Sequence, residues 1–451
     1  MLTDRLPAEF LEEMQDLLKE DYPEYLRSIG EVPLSGLRVN TLKAAPETVA
    51  ARFGLTERVP WTPNGYYLTA DGGYTRDPWY FAGLYYMQEP SAMSSAALLG
   101  TQAGERVLDL CAAPGGKTTQ IGADLKGQGL LVANDLSASR AKALLKNIEL
   151  MGIGNALVTC EDSDRLVREF PLFFDRILVD APCSGEGMFR KHPAVIRAWL
   201  EHGKDFYCGV QQKLLCDAAE MLKPGGTLLY STCTYNRHED EDQIAEFLAS
   251  HPDFTLDPVT GIDGFTDSAL LPGCVRLFPH KAKAEGHFVA RLKKSADAAA
   301  GTPRAAVPVR RKKTETLPGD MDEFLKKTSF RPDPDRIVVE NEYVSLLPEI
   351  PSLPKLRYLR TGLLLGQLKN GRFRPSQALA MSLTKEQWQD PVDLSRDDPD
   401  VIRYLKGETV NADREDTKGF RLLCVDGYPL GFVKQDRSRL KNMYLPGWRM
   451  Q

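Results

Sequence analysis

The sequence predicts an α/β protein: a mainly parallel sheet flanked by helices, preceded by a small α+β segment and followed by a small β-barrel. Between residues 106 and 292, short runs rich in leucine or β-branched residues alternate with amphipathic helical patterns, which is typical of βαβ units. Near the C-terminus, Asp426-Gly427 separates two strand-like runs and indicates a hairpin. These observations predict the order of the three regions.

The first region is expected to end near residue 80. It begins with a helical pattern of apolar residues, formed by Leu11, Met14, Leu17 and Leu18. The segment Gly36-Leu-Arg-Val-Asn-Thr-Leu42 then predicts a strand. We therefore assign residues 1–80 to an α+β lead-in that helps to recognise the substrate.

The central region, residues 81–294, contains the alternating pattern. Its predicted strands are Arg106–Leu110, Gly129–Asn134, Ala156–Cys160, Arg176–Val179, Thr227–Tyr230 and His287–Leu292. Residues 295–319 are rich in Ala, Pro and Gly, which predicts a flexible linker. We assign residues 295–353 to this linker and a connecting segment, and residues 354–451 to a separate C-terminal domain.

Composition excludes several classes of protein. No apolar run reaches the roughly 20 residues of a membrane span, and no secretion signal precedes the lead-in, so we expect a cytoplasmic protein. The 8 cysteines are too sparse for a disulfide scaffold and lack zinc-ligand spacing, so we expect free thiols and no metal.

Charge is unevenly distributed although the whole chain carries only −5. Residues 354–451 have 18 Lys and Arg against 12 Asp and Glu, a balance of +6, whereas residues 1–353 have 39 against 50, a balance of −11. A basic module on an acidic body is typical of a polyanion-binding appendage, although a solvated basic face with no partner is the alternative.

A polar or reactive residue follows each of the first five core strands. These residues are Asp109, Asp135, Asp162, Asp180 and Cys233. Parallel sheets bind ligands at the carboxyl ends of their strands, so we expect these five side chains to share one edge. Taken singly, each could equally be a helix cap or a turn residue.

A glycine-containing loop, Cys111-Ala-Ala-Pro-Gly-Gly-Lys117, follows the first core strand. Gly115 and Gly116 allow a ligand to approach the backbone closely, and the helix N-terminus that follows presents free N–H groups. The spacing matches neither a dinucleotide fingerprint nor a phosphate-binding Walker loop, which disfavours a nicotinamide oxidoreductase. With Asp135 placed to bind a ribose diol, the loop suits S-adenosylmethionine.

Four motifs together resemble the Sun-type RNA cytosine-5 methyltransferases. They are Tyr86-Met-Gln-Glu-Pro-Ser-Ala-Met93, the glycine-containing loop, Asp180-Ala-Pro-Cys183 and Ser231-Thr-Cys233. The resemblance covers most of residues 30–294 and is closest to the bacterial enzymes of the small ribosomal subunit. It implies a Rossmann-like core with seven mostly parallel strands and a C-terminal PUA-like RNA-binding barrel.

The resemblance also implies the roles of individual residues. Cys233 would be the nucleophile, Cys183 would help to release the product, and Asp180 would hydrogen-bond the base. Contacts to S-adenosylmethionine are implied for Cys111, Ala112, Ala113, Pro114, Gly115, Gly116, Lys117, Asp135, Asp162 and Asp180. Outside this motif context, both Cys183 and Cys233 would more simply be small packing residues.

The chemistry explains why two thiols are useful. Carbon 5 of cytosine is a poor nucleophile until a thiolate adds at carbon 6, so one cysteine must form a covalent bond to the base. A second group must then remove the C5 proton, and we assign this to Cys183 or to water oriented by it. For Asp180 to offset charge on the ring, we expect its carboxyl group to donate or share a proton.

The expected partner is RNA, which a monomer would bind through basic side chains near the site and in the C-terminal part. We assign this contact to Arg190, Lys191, the linker run Arg310–Lys313 and the C-terminal domain. The substrate we favour is 16S ribosomal RNA or its assembly intermediate. Transfer RNA remains an alternative substrate, and a non-catalytic ribosome-assembly factor remains an alternative function.

Overall fold

The computed structural model describes residues 5–450 except 69–71, 204, 299–316, 318–319, 351 and 416. The linker run at residues 310–313 therefore lies outside the described residues. Within the described part of the chain, no helix has the length and apolar character that crossing a membrane requires.

The lead-in is a small α+β unit, as predicted. Its helices and strands are α1 (Ala8–Leu18), α2 (Tyr22–Ile29), β1 (Gly36–Val39), α3 (Pro46–Phe53), β2 (Gly65–Tyr67), α4 (Pro78–Phe81) and β3 (Tyr85–Gln88). The three strands form an antiparallel sheet in the order β2-β1-β3. All four residues of β1 are buried, so this strand packs in the interior of the molecule.

The core alternates strands and helices. Its first half comprises α5 (Ser94–Leu99), β4 (Arg106–Asp109), α6 (Gly116–Asp124), β5 (Leu130–Asn134), α7 (Ala138–Leu150), β6 (Ala156–Thr159), α8 (Ser163–Glu169) and β7 (Phe174–Asp180). Its second half comprises α9 (Ala194–His202), α10 (Cys208–Met221), β8 (Leu222–Thr232), α11 (Glu241–Ser250), β9 (Phe254–Leu256), β10 (Phe265–Asp267), β11 (Val275–Leu277) and β12 (His287–Lys294). All six predicted strands are present.

The C-terminal region is mostly β-structure. Its first part comprises α12 (Met321–Leu325), β13 (Ile337–Glu340), β14 (Tyr343–Leu346), β15 (Tyr358–Thr361), β16 (Leu363–Lys369), β17 (Arg372–Pro375) and α13 (Gln377–Ser382). Its second part comprises β18 (Val392–Leu394), α14 (Pro399–Leu405), β19 (Val410–Asn411), β20 (Gly419–Val425), β21 (Tyr428–Asp436) and β22 (Arg439–Asn442).

The central sheet has ten described strands, in the order β10-β11-β12-β8-β7-β4-β5-β6-β15, with β9 beside β12. The five strands from β8 to β6 are parallel, and the others run antiparallel. The sheet is therefore the predicted seven-stranded core, from β11 to β6, extended by β9, β10 and β15. The short edge strands could not be recognised from sequence because three or four residues carry little periodicity.

Alternating residues of the central strands cover both faces of the sheet with apolar side chains. In β4 and β5, Leu108 and Val132 pack into one hydrophobic cluster, whereas Val107 and Leu131 pack into the cluster on the other face. All four side chains are fully buried. Burial on both faces is typical of parallel sheets and holds the strand ends rigidly in register.

The C-terminal region is not a wholly separate piece, contrary to the expectation from the linker. Strand β15 pairs with β6 and covers what would be a free edge of the central sheet. The Trp79 indole nitrogen of the lead-in donates to Asp426 Oδ2 over 2.8 Å. The lead-in and the C-terminal region also share one hydrophobic cluster, which includes Tyr85 and Tyr404. The three regions therefore support one another.

The predicted hairpin is confirmed. Strands β20 and β21 are joined by Asp426 and Gly427, and Val425 pairs with Tyr428. Both turn residues have positive φ, 48° and 85°, which is the conformation of a type I′ turn. The two C-terminal sheets follow the orders β13-β14-β16-β17 and β18-β20-β21-β22-β19.

Candidate active site

The two predicted cysteines lie side by side at the carboxyl ends of two parallel strands. Cys183 is in the loop after β7, and Cys233 follows β8 directly. Their Sγ atoms are 3.4 Å apart, and the Cys233 backbone N–H also donates to Cys183 Sγ over 3.4 Å. Both are free, half-buried thiols. The strand pairing of β7 and β8 brings together two residues that are 50 positions apart in sequence.

The two cysteine loops are bonded directly to each other. The Gly187 N–H donates to the Cys233 carbonyl oxygen over 3.0 Å, and the hydroxyl groups of Ser184 and Thr234 are 2.7 Å apart. Glu186 Oε2 accepts the Tyr235 N–H over 3.1 Å. The relative position of the two thiols is therefore set by bonds on both sides of the pair.

Two buried glutamates brace these loops, and the sequence analysis assigned a role to neither. Glu239 accepts the Ser184 N–H over 3.0 Å, and burial raises the pKa of Glu239. Glu186 accepts the Trp199 indole N–H over 2.9 Å, and burial raises the pKa of Glu186 to about 7. A glutamate between two glycines at Gly185-Glu-Gly187 was the available signal for Glu186.

Asp180 forms an ion pair with Lys117 beside the cysteines. Lys117 Nζ lies 2.8 Å from Asp180 Oδ2, and the Ser231 hydroxyl donates to Asp180 Oδ1 over 2.9 Å. Burial raises the pKa of Asp180, but the positive charge of Lys117, other nearby groups and the hydrogen bonds that Asp180 accepts together outweigh burial, so the net shift is downward. This shift favours the ionised carboxylate, and the role of Asp180 in donating or sharing a proton during the reaction stays a prediction. Lys117 is the available donor.

Lys117 is held in its protonated form. Burial lowers the pKa of Lys117, but the charge and the hydrogen bond of Asp180 outweigh burial and raise it. The ammonium group also lies in the field of the Cys233 sulfur. The helix that begins at Gly116 thus places a proton donor at the same edge as the two thiols.

Burial and the neighbouring Lys117 charge lower the pKa of His287 to about 3, so its ring is neutral at physiological pH. His287 Nε2 is 2.9 Å from the Ser95 hydroxyl. This histidine packs beside the ion pair and adds no positive charge to it.

A cavity of about 220 Å³ opens beside the ion pair. The residues that line it are Tyr86, Met87, Gln88, Glu89, Ala92, Asp109, Cys111, Ala112, Ala113, Pro114, Gly116, Lys117 and Asp180. The predicted glycine-containing loop thus forms much of its wall. Gly115 has a φ of +112°, a conformation that favours glycine, and this turn leads the chain into α6.

Asp109 is the buried acid of this cavity. Its Oδ2 atom accepts the Thr118 hydroxyl hydrogen over 2.7 Å, whereas Oδ1 is buried with no described hydrogen-bond partner. Burial raises the pKa of Asp109 to about 7. Burial also raises the pKa of the neighbouring Cys111 thiol far above its ordinary value, so Cys111 is not a nucleophile.

The other two predicted acids differ in exposure. Asp135 is buried, and its carboxylate accepts the backbone N–H groups of Ala113, over 3.2 Å, and of Ser137, over 2.9 Å. It thereby ties the end of β5 to the glycine-containing loop. Asp162 is half exposed, caps α8 by accepting the Asp164 N–H, and lies 3.4 Å from Lys213 Nζ. It is the most exposed of the four predicted acids.

The lead-in contributes a buried arginine that the sequence analysis did not single out. Arg38, on β1, donates to the Gly116 carbonyl oxygen over 2.8 Å and to the Thr119 hydroxyl over 2.7 Å. Burial lowers the pKa of Arg38 to about 10. A charged residue in the middle of an otherwise apolar strand was the available signal. Arg38 fixes the start of α6 and so fixes Lys117.

One predicted RNA contact is wrong. Arg190 is buried, and its guanidinium pairs with Glu285 at 2.8 Å and donates to the Ser28 carbonyl oxygen at 2.8 Å. Only 5% of its side chain is exposed, so it cannot bind a phosphate group of RNA. The basic run Arg190-Lys191 looked like a surface patch because sequence does not show that α2 packs over it. Lys191 remains half-buried, and its contact to RNA stays a prediction.

Four family models match consecutive parts of the chain. Residues 96–293 match a family described as 16S rRNA methyltransferase RsmB/F. Residues 6–90 match the N-terminal domain of the 16S rRNA methyltransferase RsmF, and residues 323–383 match the first C-terminal domain of the RsmF rRNA methyltransferase. Residues 391–450 match the PUA domain of methyltransferase RsmF.

Curated relatives are similar over nearly the whole length. The chain is 32% identical to the ribosomal RNA small subunit methyltransferase F of Erwinia tasmaniensis, covering 97% of this chain and 95% of that protein. It is 32% identical to the protein of the same name from Shewanella amazonensis, covering 90% of each.

Solved structures share the core. A methyltransferase homologue from Pyrococcus horikoshii is 30% identical with a TM-score of 0.55, covering 64% of this chain and 95% of that one. NSun6 from Pyrococcus horikoshii with SFG is 21% identical with a TM-score of 0.56, covering 64% and 98%, and indicates the same fold.

Proposed function

Because the chain belongs to the 16S rRNA methyltransferase RsmB/F family, we propose that it methylates carbon 5 of a cytosine in 16S ribosomal RNA through a covalent bond from Cys233, resolved with help from Cys183. The chain is an RNA methyltransferase that uses S-adenosylmethionine. The observation that carries the mechanism is the 3.4 Å separation of the two thiols beside the Lys117–Asp180 ion pair.

The residues around the cavity fit S-adenosylmethionine. The buried Asp109 Oδ1 atom has no hydrogen-bond partner among the described residues and can accept one from an ammonium group. Residues 111–117, Asp135, Asp162 and Asp180 would hold the rest of the molecule. When bound, S-adenosylmethionine supplies an electrophilic methyl group. The chain's own residues must then make carbon 5 nucleophilic and restore the ring.

Cys233 is the residue that attacks. Its neighbour Cys183 has a pKa raised well above the ordinary value, first by its hydrogen bond with Cys233 and then by burial. Cys183 therefore keeps its proton and can donate a hydrogen bond to a Cys233 thiolate. The Cys233 sulfur forms a bond to carbon 6, and the electron pair of the C5–C6 double bond becomes available at carbon 5.

The Lys117–Asp180 pair stabilises the charge that this addition creates on the base. The Asp180 carboxylate accepts a hydrogen bond from the cytosine N4 amino group, and the Lys117 ammonium gives a proton to N3. Both groups are already in place and mostly buried, so little reorganisation accompanies the charge transfer. This assignment replaces a protonated Asp180 by a protonated Lys117.

Cys183 acts after the methyl group has reached carbon 5. Once Cys233 is bonded to carbon 6, its hydrogen bond and its negative charge no longer raise the pKa of Cys183. Burial and Glu239 still raise the pKa of Cys183. Either a water molecule oriented by Cys183 takes the C5 proton, or Cys183 loses its own proton to solvent and its thiolate takes the C5 proton. The C5–C6 double bond forms again, the C6–S bond breaks to return the Cys233 thiolate, and the N3 proton returns to Lys117. The net change is replacement of one hydrogen by methyl.

We propose that the protein works as a monomer in the cytoplasm on 16S RNA or its assembly intermediate. Residues of the lead-in and of the core complete the site within one chain, as the contacts of Arg38 with α6 illustrate. In the proposed division of work, residues 1–80, whose sheet β3 completes, help to recognise RNA, and residues 81–294 carry catalysis. Residues 295–353 connect and contribute α12, β13 and β14 to the C-terminal region, and residues 354–451 bind RNA.

The decisive experiment separates the duties of the two thiols. Unmodified 16S RNA transcript and labelled S-adenosylmethionine are incubated with Cys233→Ala, Cys183→Ala and, as a matched control, Cys216→Ala, which removes a half-buried thiol from α10. We expect no transfer with Cys233→Ala, normal transfer with the control, and a covalent protein–RNA adduct with Cys183→Ala on denaturing gels. Turnover by Cys183→Ala at the normal rate without adduct would contradict the mechanism. Bisulfite mapping then identifies the modified cytosine.

A further inference from the structure

The C-terminal region contains an open groove of about 570 Å³ whose charged side chains are all basic. Its basic residues are Lys369, Arg372, Arg374, Lys434 and Lys441, and Phe420 contributes an aromatic ring. The five cations are exposed. Among the residues that the structure describes, no acidic side chain lines the groove, and none of the five cations has an ion-pair partner.

The groove spans two modules. One wall is the hairpin of β16 and β17, in the part that matches the first C-terminal domain, and the other wall is β20, β21 and β22, in the part that matches the PUA domain. Phe324 lies beneath both walls, with ring centroids 5.2 Å from Phe373 and 5.9 Å from Phe420. Because one aromatic cluster supports both walls, the groove is a preformed surface.

The strand register places like charges directly opposite each other on both walls. Lys434 pairs with Lys441 across β21 and β22, and Lys369 pairs with Arg372 across β16 and β17. Like charges at directly opposed positions destabilise a sheet. Two such pairs around one groove, with no described acid between them, indicate a surface that is neutralised by something other than this chain.

The aromatic ring positions one of these charges. Phe420 is opposite Lys434 in the register, and the Lys434 Nζ atom lies over the Phe420 ring, 5.5 Å from its centroid. Phe420, Lys434 and Lys441 therefore form one row across three strands. Such a row matches a repeated anion, and phosphates at regular spacing along a nucleic acid backbone are the ligand with that charge pattern.

We propose that this groove, formed jointly by the two C-terminal modules, binds the phosphate backbone of the RNA substrate away from the methylated base. The proposal rests on the proposed function, since its occupant is the same RNA. Contacts to phosphates position a protein without reading sequence, so the groove supplies affinity and orientation while the core selects the cytosine.

The test compares charge-matched double variants of the full-length protein. Lys434→Gln/Lys441→Gln removes two charges from one wall, Arg372→Gln/Arg374→Gln removes two from the other, and Lys406→Gln/Arg437→Gln removes two exposed charges that do not line the groove. Binding of unmodified 16S RNA transcript is measured across a series of salt concentrations, together with S-adenosylmethionine affinity.

We expect each groove variant to bind the RNA on the order of 10-fold or more weakly at physiological salt, and to lower the slope of log affinity against log salt by roughly 1.4–1.8. The control should keep the wild-type affinity and slope. Cofactor affinity and the rate at saturating RNA should be unchanged in all three, because none of these residues belongs to the active site.

The possible failures are distinguishable. If the groove variants bind RNA like the control, the proposal that the groove binds RNA is wrong, whether or not the wild type methylates RNA. A wild type that binds this RNA but transfers no methyl group to carbon 5 would overturn the proposed function, while weaker binding by the groove variants would still support a phosphate-binding surface. Loss of binding to phosphatidylglycerol vesicles in the groove variants, with RNA binding intact, would overturn the proposal in favour of a lipid surface.

Discussion

The active site and the basic groove differ in how their charged side chains are paired. At the strand ends of the core, the buried cations have partners: Lys117 pairs with Asp180 at 2.8 Å, and Arg276 pairs with Asp240 at 3.0 Å. In the groove, Lys434 and Lys441 are exposed, directly opposed, and without an ion-pair partner among the described residues. These charged side chains of the core pair with each other, whereas those of the groove are available to a ligand.

This difference follows from the work that each region does. Charges that stabilise a reacting base must be oriented before the reaction, because orienting them during the reaction would add to the barrier. Charges that hold a phosphate backbone release counterions when they are neutralised, and this release is the source of much of the affinity. Removing a core charge should therefore lower the stability of the protein or its catalytic rate. Removing a groove charge should weaken RNA binding without lowering stability.

The largest expected effect is on stability, at Arg276. Its side chain is 3% exposed and pairs with both Asp240 and Glu241 behind the Cys233 loop. Arg276→Met would leave two buried carboxyl groups without a countercharge, which should lower the free energy of unfolding by about 3–5 kcal/mol. The measurement is denaturant unfolding at neutral pH.

A matched control for Arg276 pairs with the same acidic run, at its exposed side. Arg237 pairs with Asp242, but 60% of its side chain is exposed. Arg237→Met should lower the free energy of unfolding by at most about 1 kcal/mol, because exposed ion pairs contribute little. Equal losses in the two variants would remove the distinction between buried and exposed charges on which the comparison depends.

The second prediction concerns catalysis and Lys117. Lys117→Met removes the proton donor beside Asp180 and should reduce kcat by roughly 10²- to 10⁴-fold. Lys117→Arg keeps a positive charge near Asp180, but a guanidinium does not release its proton at neutral pH, so this variant should remain slow. Single-turnover methyl transfer is the measurement, with cofactor affinity measured in parallel. Restoration of the rate by Arg would show that charge alone matters.

Much of this site could be predicted from the sequence, and the reason is geometric. Asp109, Asp180 and Cys233 lie at or directly after the ends of parallel strands, where strand pairing alone brings residues together. Strands buried on both faces appear in the sequence as short continuous apolar runs, and their length and their alternation with helical patterns identify them. The spacing of the motifs along the chain therefore translates directly into positions along one edge.

Composition is a misleading guide where charged side chains are buried. The acidic run Glu239-Asp-Glu241 is typical of a solvated surface, yet all three side chains are buried, with Arg276 and the Ser184 N–H as partners. Arg190 looked like a surface residue for the same reason. Which charges are buried depends on which elements pack over them, and a single sequence carries little information on that packing.

The third prediction concerns pH and Glu186. Burial raises the folded-state pKa of Glu186 from near 4.5 to about 7, so its stabilising contribution is complete below about pH 4.5 and is lost as pH rises through about 7. Between pH 5 and 8 the wild type should therefore lose about 1–3 kcal/mol more unfolding free energy than Glu186→Gln. Unfolding is measured at both pH values, with Glu201→Gln, an exposed change on α9, as the control. A pH dependence that survives Glu186→Gln unchanged would assign the titration to another buried acid, such as Asp109.

The smallest expected effect is in the groove, and its sign is opposite to that of the core. Lys441→Gln removes the like charge opposite Lys434, so the free energy of unfolding should stay the same or rise by roughly 0.2–1 kcal/mol. Arg439→Gln, two residues before Lys441 on β22 and opposite Asp436, should instead lower it slightly. Thermal unfolding without RNA measures both. A clear destabilisation by Lys441→Gln would mean that this lysine is held by its own chain, and the contrast between satisfied core charges and unsatisfied groove charges would no longer hold.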